Sequence, residues 1–173
     1  MKTKSNVYVL YTGGTLGMIP DGAARDAPLR PMSLTELTKI LPAADAPGLR
    51  VTLDALPVAR DSSSLAPDDW LAIASRVAGN LDACDGCVVV HGTDTMAWTA
   101  SALAFMLQGL GKPVIFTGSM RPLVAARSDA PANYRAALRI AGWRATDLPR
   151  LPEVAIAFGD RVVRGCRARK LRA

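Results

Sequence analysis

Apolar residues along this chain fall into short blocks separated by glycine, proline and polar loops. Val7-Tyr8-Val9-Leu10-Tyr11, Cys87-Val88-Val89-Val90, Val114-Ile115-Phe116 and Val154 to Phe158 are unbroken runs rich in β-branched and aromatic residues. Runs of strand length with no polar alternation predict strands covered on both faces, as in a parallel sheet. Leu49 to Leu56 alternates instead and predicts one more strand. Helical segments lie between these blocks. Ser33-Leu34-Thr35-Glu36 reads as a capping box opening a helix to about Leu41, stopped before Pro42. Pro67-Asp68-Asp69 puts proline and acids in the first turn of a helix ending near Gly79. Met96, Ala100, Leu103, Leu107 and Leu110 recur at helical spacing up to Gly109 and Gly111, and a last helix is predicted from about Pro131 to Ala141. Ile19 to Pro31, rich in Pro, Gly and Ala, predicts a loop. Strands alternating with helices across short loops predict an α/β fold, an open, mostly parallel sheet with helices on both faces.

In such sheets the binding crevice lies at the carboxyl ends of the strands. The loops after Tyr11, Leu56, Val90 and Phe116 hold nearly all the reactive residue types of the chain. Thr12-Gly13-Gly14-Thr15-Leu16-Gly17 lacks both the dinucleotide-binding and the P-loop spacing, but paired glycines allow a tight turn, close approach to a ligand and an uncovered Thr15 hydroxyl. His91-Gly92-Thr93-Asp94-Thr95-Met96 lies at a strand-to-helix junction, where backbone N–H groups favour negative charge. Thr93 is placed to donate to a developing oxyanion and Asp94 to hold an ammonium; read alone, the segment is better explained as a helix cap. His91, the one histidine, would have to serve any Ser-His-Asp triad, and directly after a buried strand it suits a structural role better. Cys84-x-x-Cys87 has redox or zinc spacing and, with His91 and Cys166, four ligands on paper, although Cys87 opens a buried strand and no second close ligand pair exists.

Charge changes the picture by its position. The chain has 173 residues and a formal charge of +6, from 21 Lys+Arg and 15 Asp+Glu. Arg161, Arg164, Arg167, Arg169, Lys170 and Arg172 follow the last acid, so residues 1–160 are neutral overall. A short basic stretch without interleaved aromatics argues against nucleic acid as a partner. The apolar runs are far shorter than the roughly 20 residues of a membrane-spanning helix, so no membrane partner is expected. The apolar stretch after Met1-Lys2-Thr3-Lys4 breaks at Thr12, too early for a signal-peptide core, and a cytoplasmic protein with reduced thiols at its 3 cysteines is expected.

Thr12-Gly13-Gly14-Thr15, His91-Gly92-Thr93-Asp94-Thr95-Met96 and Thr117-Gly118-Ser119-Met120-Arg121-Pro122, each after a predicted strand, together resemble the bacterial-type L-asparaginase family, on its cytoplasmic branch. Asp61-Ser62-Ser63 before Pro67-Asp68-Asp69-Trp70, and Ser128-Asp129 before Asn133, extend the resemblance over essentially the whole chain. The resemblance implies an amidohydrolase acting on a small-molecule amino-acid amide, with no cofactor and no metal, in a homo-oligomer. It implies that Thr15 is the nucleophile, attacking the side-chain amide carbon of L-asparagine to form an acyl-enzyme and release ammonia, assisted by Thr93, Asp94 and Lys170. It assigns Ser62, Ser63 and Asp94 to the substrate's α-carboxylate and α-ammonium; Ser63 stands where exported members often carry Gln. A lid tyrosine has no counterpart between Gly17 and Leu29, where Arg25 is a possible substitute, since the tyrosines are Tyr8, Tyr11 and Tyr134.

The expected division is an asparaginase-like N-terminal α/β domain over 1–160 and a basic segment over 161–173 starting the connection to a C-terminal domain that the chain lacks, so that these residues alone are expected to be weakly active or inactive. Other readings are an asparaginase-like subunit of a tRNA-dependent amidotransferase, which would carry an additional segment before the first strand, and a non-catalytic amino-acid-binding or assembly module. One methylene separates asparagine from glutamine, too little for sequence to rank them.

Overall fold

The computed structural model describes residues 4–23, 27–41, 48–143 and 151–171. A six-stranded sheet runs through it. The strands are β1 (Ser5–Tyr11), β4 (Leu49–Ala55), β5 (Gly86–Val90), β6 (Val114–Thr117), β7 (Val154–Phe158) and β8 (Arg161–Arg164), in the order β4-β1-β5-β6-β7-β8. All neighbours pair in parallel except β8, which folds back antiparallel on β7 with Phe158 opposite Arg161. The sheet therefore continues into the first residues of the basic segment.

Period-two alternation distributes the strand side chains between two cores. Val7, Val9, Tyr11, Val88, Val90, Ile115, Ala155 and Ala157 face one way, onto Leu37 of α1 (Leu34–Ile40) and Tyr134, Ala137, Leu138 and Ala141 of α4 (Ala130–Ala141). Tyr8, Leu10, Cys87, Val89, Val114, Phe116, Val154 and Ile156 face the other, onto Ile73, Ala74 and Val77 of α2 (Pro67–Asn80) and Met96, Ala100 and Leu103 of α3 (Met96–Met106). Burial on both faces is why the central strands carry no polar alternation. α1 begins as its sequence requires: Ser33 Oγ accepts from the Glu36 amide at 3.3 Å, and the Ser33 amide donates to Glu36 at 2.8 Å.

Besides β8, which the sequence reading left within the basic segment, two details differ from it. The stretch from Ile19 to Pro31 contains a small hairpin, β2 (Met18–Pro20) antiparallel to β3 (Leu29–Pro31), because its two arms pair across an intervening loop that no local pattern reveals. α3 stops at Met106, one turn early. Leu107 departs from helical geometry and Gly109 takes φ 73°, while Leu107 and Leu110 still pack on the α2/α3 core from outside the helix.

β1 is flanked by β4 on one side and β5 on the other, so the chain reverses its direction of travel across the sheet there. A ligand crevice is expected at such a reversal, here at the carboxyl ends of β1 and β5. Both end in the segments that the sequence singles out.

Candidate active site

Backbone contact, made possible by glycine, brings the loops of the crevice together. Thr12 continues β1 by donating its amide and its hydroxyl to Val90 O, each at 3.0 Å, and accepts from the Arg60 amide at 3.2 Å. Gly14 then lies against the backbone of His91 and Gly92 with φ 88°, where a Cβ would overlap both residues. Gly92 in turn lies against Ser62. Thr15 follows Gly14 and Thr93 follows Gly92, so the two threonines leave one shared point of contact.

Thr15 is half-buried at the head of a single 3-10 turn, Thr15–Gly17. This turn is held from outside: Leu123, after β6, donates its amide to Leu16 O at 3.0 Å, and Met32, after β3, donates to Gly17 O at 2.7 Å. The β6 loop is itself fastened to α4. Asp129 accepts from the amides of Met120 and Arg121 at 2.9 and 3.0 Å. Asn133 is buried, donates to Gly118 O at 3.0 Å and accepts from the Gly159 amide at 3.0 Å, joining the ends of β6 and β7.

Lys170 closes the site from the far end of the chain. Its Nζ donates to Thr93 Oγ1 at 3.1 Å and to Asp94 Oδ1 at 2.5 Å. The Lys170 side chain is 26% exposed and that of Asp94 64%, so the pair stands at the mouth of the crevice. A cavity of about 470 Å3 opens beside it, lined by residues including Thr93, Met96, Met120, Phe158 and Lys170.

Ser62 and Ser63, in the 3-10 turn Ser62–Ser64 after β4, divide their roles. Ser62 is buried; its carbonyl accepts from Thr95 Oγ1 at 2.6 Å and its hydroxyl from the Thr95 amide at 3.4 Å. Ser63 donates its amide and its hydroxyl to Asp61 Oδ1, at 2.8 and 2.5 Å, and these bonds hold the Asp61 carboxyl below the usual carboxylate range. Thr95 and Asp61 therefore join the candidate residues, which sequence reasoning left out. Their signals were an Asp two residues before a Ser, the spacing of an Asx turn, and a Thr whose capping role goes unused.

The capping explanation of the 93–95 segment fails on this geometry. Thr95 occupies the N-cap position of α3 without a side-chain cap bond, because its hydroxyl is committed to Ser62, while Thr93 and Asp94 are committed to Lys170. His91 is fully buried against Phe116, its Nδ1 2.7 Å from Gly92 O, and burial depresses its pKa to about 4. Its Nε2 meets no hydroxyl among the described residues, so no triad is built on it. Among the described residues no three His, Cys, Asp or Glu converge as metal ligands. Tyr8, Tyr11 and Tyr134 are all buried in the two cores, and Arg25 lies outside the described residues.

Comparison with known proteins places this arrangement. The family model described as Asparaginase, N-terminal matches residues 6–173. L-asparaginase 1 of Escherichia coli K12 is 41% identical over 173 residues, which cover 98% of this chain and 48% of that protein. The crystal structure of L-asparaginase I from Vibrio cholerae superposes with a TM-score of 0.84 at 41% identity, over 99% of this chain and 49% of that one. The thermostable L-asparaginase from Thermococcus kodakarensis does so with a TM-score of 0.78 at 33% identity, over 92% of this chain and 46% of that one. The chain thus spans about half the length of the relatives it matches. Family model, sequence identity and fold agree, and the chain belongs to the asparaginase family through that family's N-terminal domain.

Proposed function

We propose that the protein carrying this chain hydrolyses the side-chain amide of L-asparagine to L-aspartate and ammonia, with Thr15 as nucleophile. The observation that carries the reading is Lys170 Nζ bridging Thr93 Oγ1 and Asp94 Oδ1 at the head of α3, at the crevice where Gly14 meets Gly92. An ammonium in that position anchors the Asp94 carboxylate and occupies the acceptor side of the Thr93 hydroxyl, whose own proton is then free to be donated. Thr15 Oγ attacks the amide carbon as its proton passes to the Thr93, Asp94 and Lys170 group, which hands a proton to the amide nitrogen; the C–N bond breaks, ammonia departs, and water hydrolyses the acyl-enzyme and restores the Thr15 hydroxyl. Backbone N–H groups beside Thr15 and Thr93 serve as oxyanion donors. Ser62 donates its hydroxyl to the substrate's α-carboxylate, while Ser63 Oγ, whose proton goes to Asp61, accepts from the α-ammonium together with Asp94 Oδ2. A cytoplasmic homo-oligomer is the setting that fits this reading.

Ammonia release from L-asparagine, measured for the protein and for Thr15→Ala, tests the proposal. A loss of at least about a hundredfold is expected on removing the nucleophile. Equal rates in the two proteins would overturn the assignment of Thr15.

A further inference from the structure

At the opposite end of β5 from the candidate site, Cys84 and Cys87 sit with their sulfurs 3.6 Å apart and within hydrogen-bond reach of each other. The two thiols are unlike. Cys84 precedes the strand and retains 7% exposure, whereas Cys87, within β5, is fully buried beneath α2 and α3. The Cys84 thiol reaches Leu81 O at 3.8 Å, and the nearby Lys112 ammonium, anchored on the same carbonyl at 2.6 Å, adds positive charge. A neighbouring thiol and a nearby cation favour a thiolate at that sulfur. The hydrogen bond from Cys87 and the Lys112 field pull the Cys84 thiol below its ordinary value, while that same bond and burial push Cys87 up. Both thiols are buried, and Cys84, which alone keeps some surface, is the sulfur a small disulfide reaches first, with Cys87 behind it to resolve the adduct.

We propose that Cys84 and Cys87 form a dithiol that exchanges with low-molecular-weight disulfides and closes reversibly into an intramolecular disulfide at the amino end of β5. Cys84 thiolate attacks one sulfur of the small disulfide, whose S–S bond breaks and releases one thiolate. Cys87 then attacks Cys84 Sγ, a second small thiolate leaves, and the Cys87 proton goes to the departing sulfur. The protein dithiol is oxidised by two electrons and the small disulfide is reduced to two thiols. Closure requires the sulfurs to approach to about 2.05 Å, a local movement in a turn that already aims them at each other.

The test uses the reduced native protein in a Cys166→Ser background, which removes the exposed third thiol, incubated with glutathione disulfide and mapped by peptide mass. The expected product lacks two hydrogens, is cross-linked between Cys84 and Cys87, and reverts with dithiothreitol. Cys87→Ser is expected to accumulate a glutathione adduct on Cys84. Should that variant fail to fold by circular dichroism, the mapping of the Cys166→Ser protein decides alone. The proposal is overturned if both thiols remain free under conditions that modify Cys166 in the unmutated protein. It is equally overturned if a Cys84 adduct persists beside a free Cys87, or if the cross-link forms only in urea.

Discussion

His91 and Gly14 show how single residues near the crevice serve the frame rather than the reaction. The imidazole has no exposed surface, and burial brings its pKa from 6.5 to about 4. The unfolded chain therefore binds a proton between those values that the folded protein refuses, and stability must fall as pH drops through that window. Up to about 3 kcal/mol is at stake by pH 4. Urea unfolding midpoints measured from pH 7 to 4 are expected to decline less steeply in His91→Asn than in the unmutated protein. Gly14 is constrained differently, by φ 88° and by the His91–Gly92 backbone where its side chain would be. Gly14→Ala is expected to cost at least about 2 kcal/mol, read as a lower urea midpoint.

At the scale of elements, α4 acts as a clamp on two strand ends. Asn133, in its first turn, satisfies Gly118 O after β6 and the Gly159 amide after β7, groups that would otherwise lie unpaired at the rim of the sheet. Asn133→Ala is expected to lower stability by about 2 kcal/mol, checked by urea unfolding. The existence and kind of these elements were legible in the sequence, since unbroken apolar strands and the Ser33–Glu36 capping box are local signals. The clamp was not, because Asn133 and Gly159 are 26 residues apart and their bond is made only by packing. The early end of α3 was hidden for a related reason. Leu107 and Leu110 keep helical spacing because they face the same core, although the backbone has already turned.

Across the whole molecule, the basic excess of the last residues is partly met by acids from earlier ones. Arg164 pairs with Glu153 at 3.0 Å and Lys170 with Asp94 at 2.5 Å, across 76 residues of sequence for the latter. The described part of the basic segment is thus drawn against its own domain. Lys170→Met, which keeps the stem and removes the charge, is expected to reduce ammonia release by about a hundredfold or more while leaving the circular dichroism spectrum unchanged. If the rate survives that change, Lys170 has no part in the proton path.

The order of the five parallel strands and four α-helices, the two-sided burial of the sheet and the loops in which reactive residues cluster were all written in the sequence, because each follows from periodicity and turn chemistry within a few neighbours, whereas β2, β3 and β8 have no such local signal. Only tertiary structure decided which of those residues meet. Thr95 caps nothing because Ser62, 33 residues away, takes its hydroxyl, and Thr93 and Asp94 face Lys170 because β8 turns the chain back along β7. Hydrogen bonds between distant segments leave no periodic trace in a chain; they exist once the cores have packed and the glycines have let the strand ends touch.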